Sequence, residues 1–169
     1  MRIDLVGLFL VLTIAVANAQ QKAVSFSSGV RFETGDTWTY NGEKYRLFGV
    51  QACIRGTVYR SSDGQEADCG MRSIASLAAL FATDTVVCQP IQATPVAGAT
   101  LVVCAAEIEG VAVDVGTALI SSGAAFAATL PSGLPASAAY AVAETTAKEG
   151  RSGLWAGHFE HPVGLLRGR

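Results

Sequence analysis

Between Arg72 and Lys148 the sequence contains neither lysine nor arginine, although Asp84, Glu107, Glu109, Asp114 and Glu144 all fall inside that interval. About half of the chain beyond residue 19 therefore offers no permanent cation to any site. Charge is scarce throughout, at 15% of residues, and the net charge is −2. A protein built to hold a polyanion needs a basic face, so nucleic acid is disfavoured as a partner; only Arg55, Arg60 and Arg72 suggest a local basic patch. Histidine is limited to His158 and His161, no C-x-x-C spacing occurs, and no histidine lies between the cysteines. These absences disfavour a cysteine-based metal centre. Beyond the first nineteen residues no apolar run approaches the 18 or so residues of a membrane span, so none is expected there.

Apolar residues make up 50% of the chain, ample for a buried core in a single domain over residues 20–169. Residues 1–19 are set apart as a signal peptide: Arg2 is a weak positive n-region, Leu5 to Val16 is mostly apolar, and Ala17-Asn18-Ala19 is a small-x-small cleavage site. A periplasmic or secreted protein is expected. In an oxidising compartment the four cysteines, Cys53, Cys69, Cys88 and Cys104, favour two disulfides among three possible pairings. Cys53 with Cys69 and Cys88 with Cys104 is the preferred pairing, because each bridge closes a short loop. In the entropic picture a loop of about 15 residues contributes about 3 kcal/mol.

The clearest local signal lies in Glu33 to Ile54. Thr37 to Tyr40 is β-branched or aromatic, Asn41-Gly42 suits a type I′ turn, and Tyr45 to Val50 forms the returning strand. The hairpin brings Gly35-Asp36 near Gln51 to Ile54, making one small candidate site. A strand is expected over Ala23 to Phe32, interrupted by a Ser27-Ser28-Gly29 turn. Arg55 to Asp68 is polar and reads as an exposed loop tethered by Cys53 and Cys69. Met71, Ile74, Leu77, Ala78 and Phe81 recur at helical spacing, predicting a helix over 70–82 with that stripe in the core. Short strands are expected at Thr85 to Cys88 and Leu101 to Ala105. Asp114 and Ser137 then serve as N-caps of two further helices, reaching Ser122 and Gly150. Trp155 is expected to dock on the core. His158, Glu160 and His161 read as a surface tail, since Gly157 and Pro162 oppose a helix that would align the two imidazoles.

Three strands, a helix, two strands and two helices correspond to an α+β fold: a five-stranded OB-type β-barrel with three helices. The chain resembles the staphylococcal nuclease-like, or thermonuclease, family. The resemblance rests on Gly35-Asp36-Thr37, Arg46-Leu47-x-Gly49-Val50, Cys69-Gly70, the strand ending in Cys104, Leu119-Ile120-x-x-Gly123-Ala124, Tyr140-x-x-x-Glu144 and Gly153-Leu154-Trp155. Exported bacterial members share several of these features.

Active members of that family hydrolyse phosphodiesters with one Ca²⁺, two aspartates, a glutamate that assists water and two arginines. Carried over by position, the resemblance retains Asp36 as one metal ligand and Arg46 as one arginine, both vestigial. Thr34 and Gln51 replace metal carboxylates, Ile54 replaces the glutamate, and Ala99 stands where the second arginine would be. An isolated Asp36 is a poor site for a hard cation that prefers several anionic oxygens, and Ile54 cannot accept a proton. Asp36 equally suits a turn, and Arg46 a structural pairing with Asp36 or Glu33. The resulting expectation is an inactive binding or assembly module of the cell envelope, without a cofactor, whose partner is an unidentified envelope protein or polymer. The alternatives are a Ca²⁺-dependent nuclease with a rearranged site using Asp63, Glu66 or Asp68, and a purely structural envelope protein.

Overall fold

The computed structural model describes residues 22–26, 28–82 and 85–167. The expected signal peptide lies outside the described residues, as does Ser27 of the expected first turn. The described residues open with β1 (Val24–Phe26), β2 (Arg31–Thr34), β3 (Thr37–Tyr40) and β4 (Glu43–Leu47). Asn41 and Gly42 take φ of 50° and 82°, so the β3–β4 connection has the left-handed pair that the Asn-Gly sequence favours. Next come β5 (Val50–Ala52), β6 (Val58–Arg60), β7 (Glu66–Asp68) and α1 (Cys69–Phe81). The second half consists of β8 (Val86–Pro90), β9 (Thr100–Ile108), β10 (Val111–Asp114), α2 (Val115–Ser121), β11 (Ala125–Ala127) and α3 (Ala138–Glu149). A 3₁₀ turn over Gly153–Ala156 leads to β12 (His158–Phe159) and α4 (Pro162–Arg167).

The main sheet runs β1-β8-β9-β4-β3-β2, with β10 added along the far half of β9. Strands β1 and β2 are neighbours in sequence yet stand at the two ends of this order. The sheet must therefore curl to bring its ends together, and the result is a half-barrel in a mixed α+β fold, consistent with an OB-like arrangement. Strands β4 and β9 are parallel, and the other pairs in this sheet are antiparallel.

Aromatic side chains fill the concave side. Phe26 packs edge-on against Trp38, Tyr40 and Tyr45, with ring centroids 5.4, 5.3 and 5.0 Å apart, while Phe81 reaches from α1 to within 4.9 Å of Trp38. Trp38 is completely buried. Both disulfides have the expected pairing, Cys53–Cys69 and Cys88–Cys104. The second joins directly opposed residues of β8 and β9.

Several boundaries differ from the sequence expectation. Segment 55–68 is a hairpin of β6 and β7 instead of a loop, with Tyr59 buried and β12 paired on the other edge of β6. Helix α1 turns Cys69, Gly70, Ser73 and Leu77 inward and leaves Met71 47% exposed, so the apolar stripe only partly faces the core. The disulfide at Cys69 and the close packing of Gly70 on the Arg55 backbone, 2.5 Å from a hypothetical Cβ, set that rotation. Strand β9 extends to Ile108 because β10 pairs with its last residues, Ala105 to Ile108.

The fourth helix, α4, was not expected. Pro162 opens it, where a missing N–H costs nothing and the fixed φ suits a helix, and the proline ring is buried. The tail is docked rather than solvated. Phe126 lies under Trp155, Phe159 and His161, at centroid distances of 5.4, 5.3 and 4.6 Å. Docking needs close backbone contact at Gly123, whose Cβ would lie 2.0 Å from the Ser152 carbonyl oxygen.

Candidate functional site

The short turn between β2 and β3 places Asp36 at the base of a pocket. Gly35 is required there, because a Cβ would fall 2.4 Å from that of Ser73 on α1. The Ser73 hydroxyl donates to the Ala124 carbonyl at 2.6 Å and accepts from the Cys53 amide at 3.2 Å, tying α1 to the end of β5. Helix, turn and strand thus converge on one point, and Asp36 is 3% exposed.

Protein donors surround the Asp36 carboxylate. Oδ1 accepts from the hydroxyls of Thr34 at 2.5 Å and Thr37 at 2.9 Å, while Oδ2 accepts from Arg46 Nη2 at 3.0 Å and the Ala52 amide at 3.3 Å. The four bonds fill the acceptor capacity of a carboxylate. Arg46 Nη2 also donates to Gln51 Oε1 at 3.2 Å, and Gln51 Nε2 donates to the Ala52 carbonyl at 2.9 Å. Glu33, the other partner considered for Arg46, instead pairs with Lys44 at 2.7 Å. The Lys44 bond, followed by that from Thr39, holds the Glu33 carboxyl below its ordinary value.

Thr34, Asp36, Arg46, Gln51 and Ile54 all line this pocket, which has a volume of about 340 Å³. Ala99 does not line it; it is buried just before β9, bridged to Val96. Asp63, Glu66 and Asp68 do not line it either. Asp63 bonds Ser61 and Gln65, Glu66 pairs with Arg60, and Asp68 caps α1 through the Met71 amide while also accepting from the Gly56 amide.

Sequence reasoning missed three participants. Thr37 completes the donor set on Asp36, Ser73 supports the turn from behind, and Leu166 of α4 reaches the pocket rim. The Gly35-Asp36-Thr37 motif contained a signal for the first; the other two come from segments far away in sequence.

The Ca²⁺ implied by the resemblance does not fit these residues. Such an ion takes six to eight oxygen ligands, whereas Asp36 is the one carboxylate on the pocket wall and both its oxygens already hold protein donors. Among the described residues no group of three or more His, Cys, Asp or Glu side chains is arranged to hold a metal. No family model matches this chain, and no curated protein matches it.

A second polar cluster lies at the tail. Glu144 is bonded by His161 Nε2 and Lys148 Nζ, each at 3.4 Å. Burial pushes the Glu144 carboxyl up, but the bonds from His161 and Lys148 outweigh it and leave the group below its ordinary value of 4.5. The Val163 amide donates to His161 Nδ1 at 3.3 Å, which leaves Nε2 as the ring nitrogen that faces Glu144. His158 is exposed on β12, and its register opposite Arg60 keeps it out of this cluster.

Proposed function

We propose that this chain is an exported, non-catalytic module of the thermonuclease type that binds or assembles in the cell envelope. In this reading β1 and β2 count as one interrupted strand and, with β3, β4, β8 and β9, make the five strands of an OB-type barrel. The observation that carries the proposal is the state of Asp36. A carboxylate serving a metal must keep oxygens free for it, and here all four acceptor positions point at Thr34, Thr37, Arg46 and Ala52. Ile54 on the same wall supplies no base for water. Two disulfides support export, and among the described residues no helix is long and apolar enough to cross a membrane.

The test is to incubate the oxidised chain with single-stranded DNA and with RNA, with and without Ca²⁺. No cleavage above background is expected. Ca²⁺-dependent cleavage that Asp36→Asn abolishes in a folded variant would overturn the proposal in favour of a rearranged nuclease. Pull-down from envelope extracts then tests the binding role, and consistent failure to retain any partner would favour a purely structural protein.

A further inference from the structure

Leu166 of α4 stands between two pockets that share Gln51. One is the pocket of about 340 Å³ beside Asp36. The other, of about 320 Å³, is lined by Ala128, Thr129, Leu130, Pro131 and Val163 and has no ionisable residue on its wall. Leu130 and Leu166 remain 45% and 51% exposed, so apolar surface there still faces solvent. Each pocket alone reaches the lower end of the range for small-molecule sites, about 300–1,000 Å³.

The two pockets differ in charge. Arg46 and Arg55 line the first, against the single carboxylate of Asp36. That carboxylate is neutralised by Arg46 and turned towards protein donors, while Arg46 engages it and Gln51 through Nη2. Asp68 is an anion held by the Gly56 and Met71 amides and acts on Arg55, but it lies outside this pocket's wall. The groove therefore has an end lined by two arginines and an end without charge, meeting at Gln51 and Leu166. Its wall at Leu166 is held by buried Pro162 and by the bonds of His161 to Glu144 and Val163.

We propose that this groove binds a single-chain anionic amphiphile, with a carboxylate head at Arg46 and Arg55 and an alkyl chain along Leu166, Val163 and Leu130. On the pocket wall two guanidiniums face one carboxylate, which leaves donors for one carboxylate head, and the uncharged arm matches an alkyl chain that water excludes. The inference rests on the reading of the site as a binding site rather than a catalytic one.

The experiment titrates the oxidised full chain with laurate below its micelle concentration, by calorimetry. Hexanoate, dodecyltrimethylammonium and vesicles of anionic phospholipid serve as comparisons. Saturable one-to-one binding of laurate is expected, weakening about twofold to fourfold for each methylene removed. Arg55→Gln should weaken it about threefold to fivefold, the scale of an exposed ion pair. Leu166→Asp should abolish it with the circular dichroism unchanged, and Leu130→Gln provides the same test from the opposite wall should Leu166→Asp misfold. Absence of saturation, equal binding of the cationic amphiphile, binding to vesicles alone, or indifference to these substitutions each overturns the inference. Failure with laurate and no nuclease activity leaves the non-catalytic reading standing; Ca²⁺-dependent cleavage removes that reading whatever laurate does.

Discussion

Phe26, Trp38, Tyr40, Tyr45 and Phe81 meet inside the curled sheet, and Phe126, Trp155, Phe159 and His161 meet beneath the C-terminal tail. The first cluster draws mostly on strands adjacent in sequence and contains no charged side chain. The second gathers residues from β11, the 3₁₀ turn and the tail, with Lys148 over the Trp155 ring at 4.7 Å and Glu144 beside His161. Ladder hydrogen bonds and the Cys88–Cys104 bridge hold the first in register. The second depends on the Cys53–Cys69 bridge, the Gly123–Ser152 contact and two polar bonds at Glu144. Strand pairing thus organises the first core, with one disulfide inside the sheet, whereas the docked tail needs attachments between segments distant in sequence.

The largest effect expected is at Trp38. Trp38→Ala should destabilise the protein by about 3–5 kcal/mol, read from the denaturant midpoint, because a fully buried indole leaves a cavity the sheet cannot close. Phe159→Ala, at the partly buried tail, should cost less, about 1–2 kcal/mol. Equal costs would mean that the tail cluster is packed as tightly as the sheet core.

Asp36→Ala comes next, at about 3 kcal/mol, since it strips Arg46 and two hydroxyls of their common partner. Adding Arg46→Met to that variant should restore part of the loss; a double variant as unstable as the sum of the singles would show that the pair is not coupled.

Replacing both Cys53 and Cys69 by alanine should cost about 2–3 kcal/mol and accelerate amide exchange in β6, β7 and β12 while β3, β4 and β9 stay protected. Replacing Cys88 and Cys104 should lower protection throughout the main sheet instead. Uniform loss in both variants would mean that the two regions unfold as one.

The smallest effect expected is at Glu144, and it depends on pH. Its carboxyl lies below its ordinary value of 4.5 in the folded state, so its contribution is present above that value and is lost as pH falls through the lowered folded value. Thermal melts from pH 7 down to pH 3 should show Glu144→Gln narrowing its deficit relative to the unsubstituted protein as the solution becomes acidic. A deficit that widens on acidification would contradict the assignment.

Much of the frame is legible in the chain itself. Asn41-Gly42 marks the hairpin, Asp114 and Ser137 cap the helices as expected, and the cysteine spacing favours the pairing observed. These are local rules, in which turn, cap and loop length involve residues close in sequence. The β6–β7 hairpin was hidden because its polar residues face solvent and its main buried anchor, Tyr59, looks isolated in sequence. Pro162 concealed α4 because a proline reads as a stop unless its place at the start of a helix is known.

The candidate site divides along the same line. That Asp36, Arg46, Gln51 and Ile54 come together follows from the hairpin, whose register the sequence specifies. That Asp36 is fully occupied by donors, that Ser73 underlies its turn and that Leu166 bounds its pocket were decided by tertiary structure. Those contacts join segments many residues apart. Their geometry depends on how α1 rotates and where the tail docks, and both are set by packing and by a disulfide rather than by local preference.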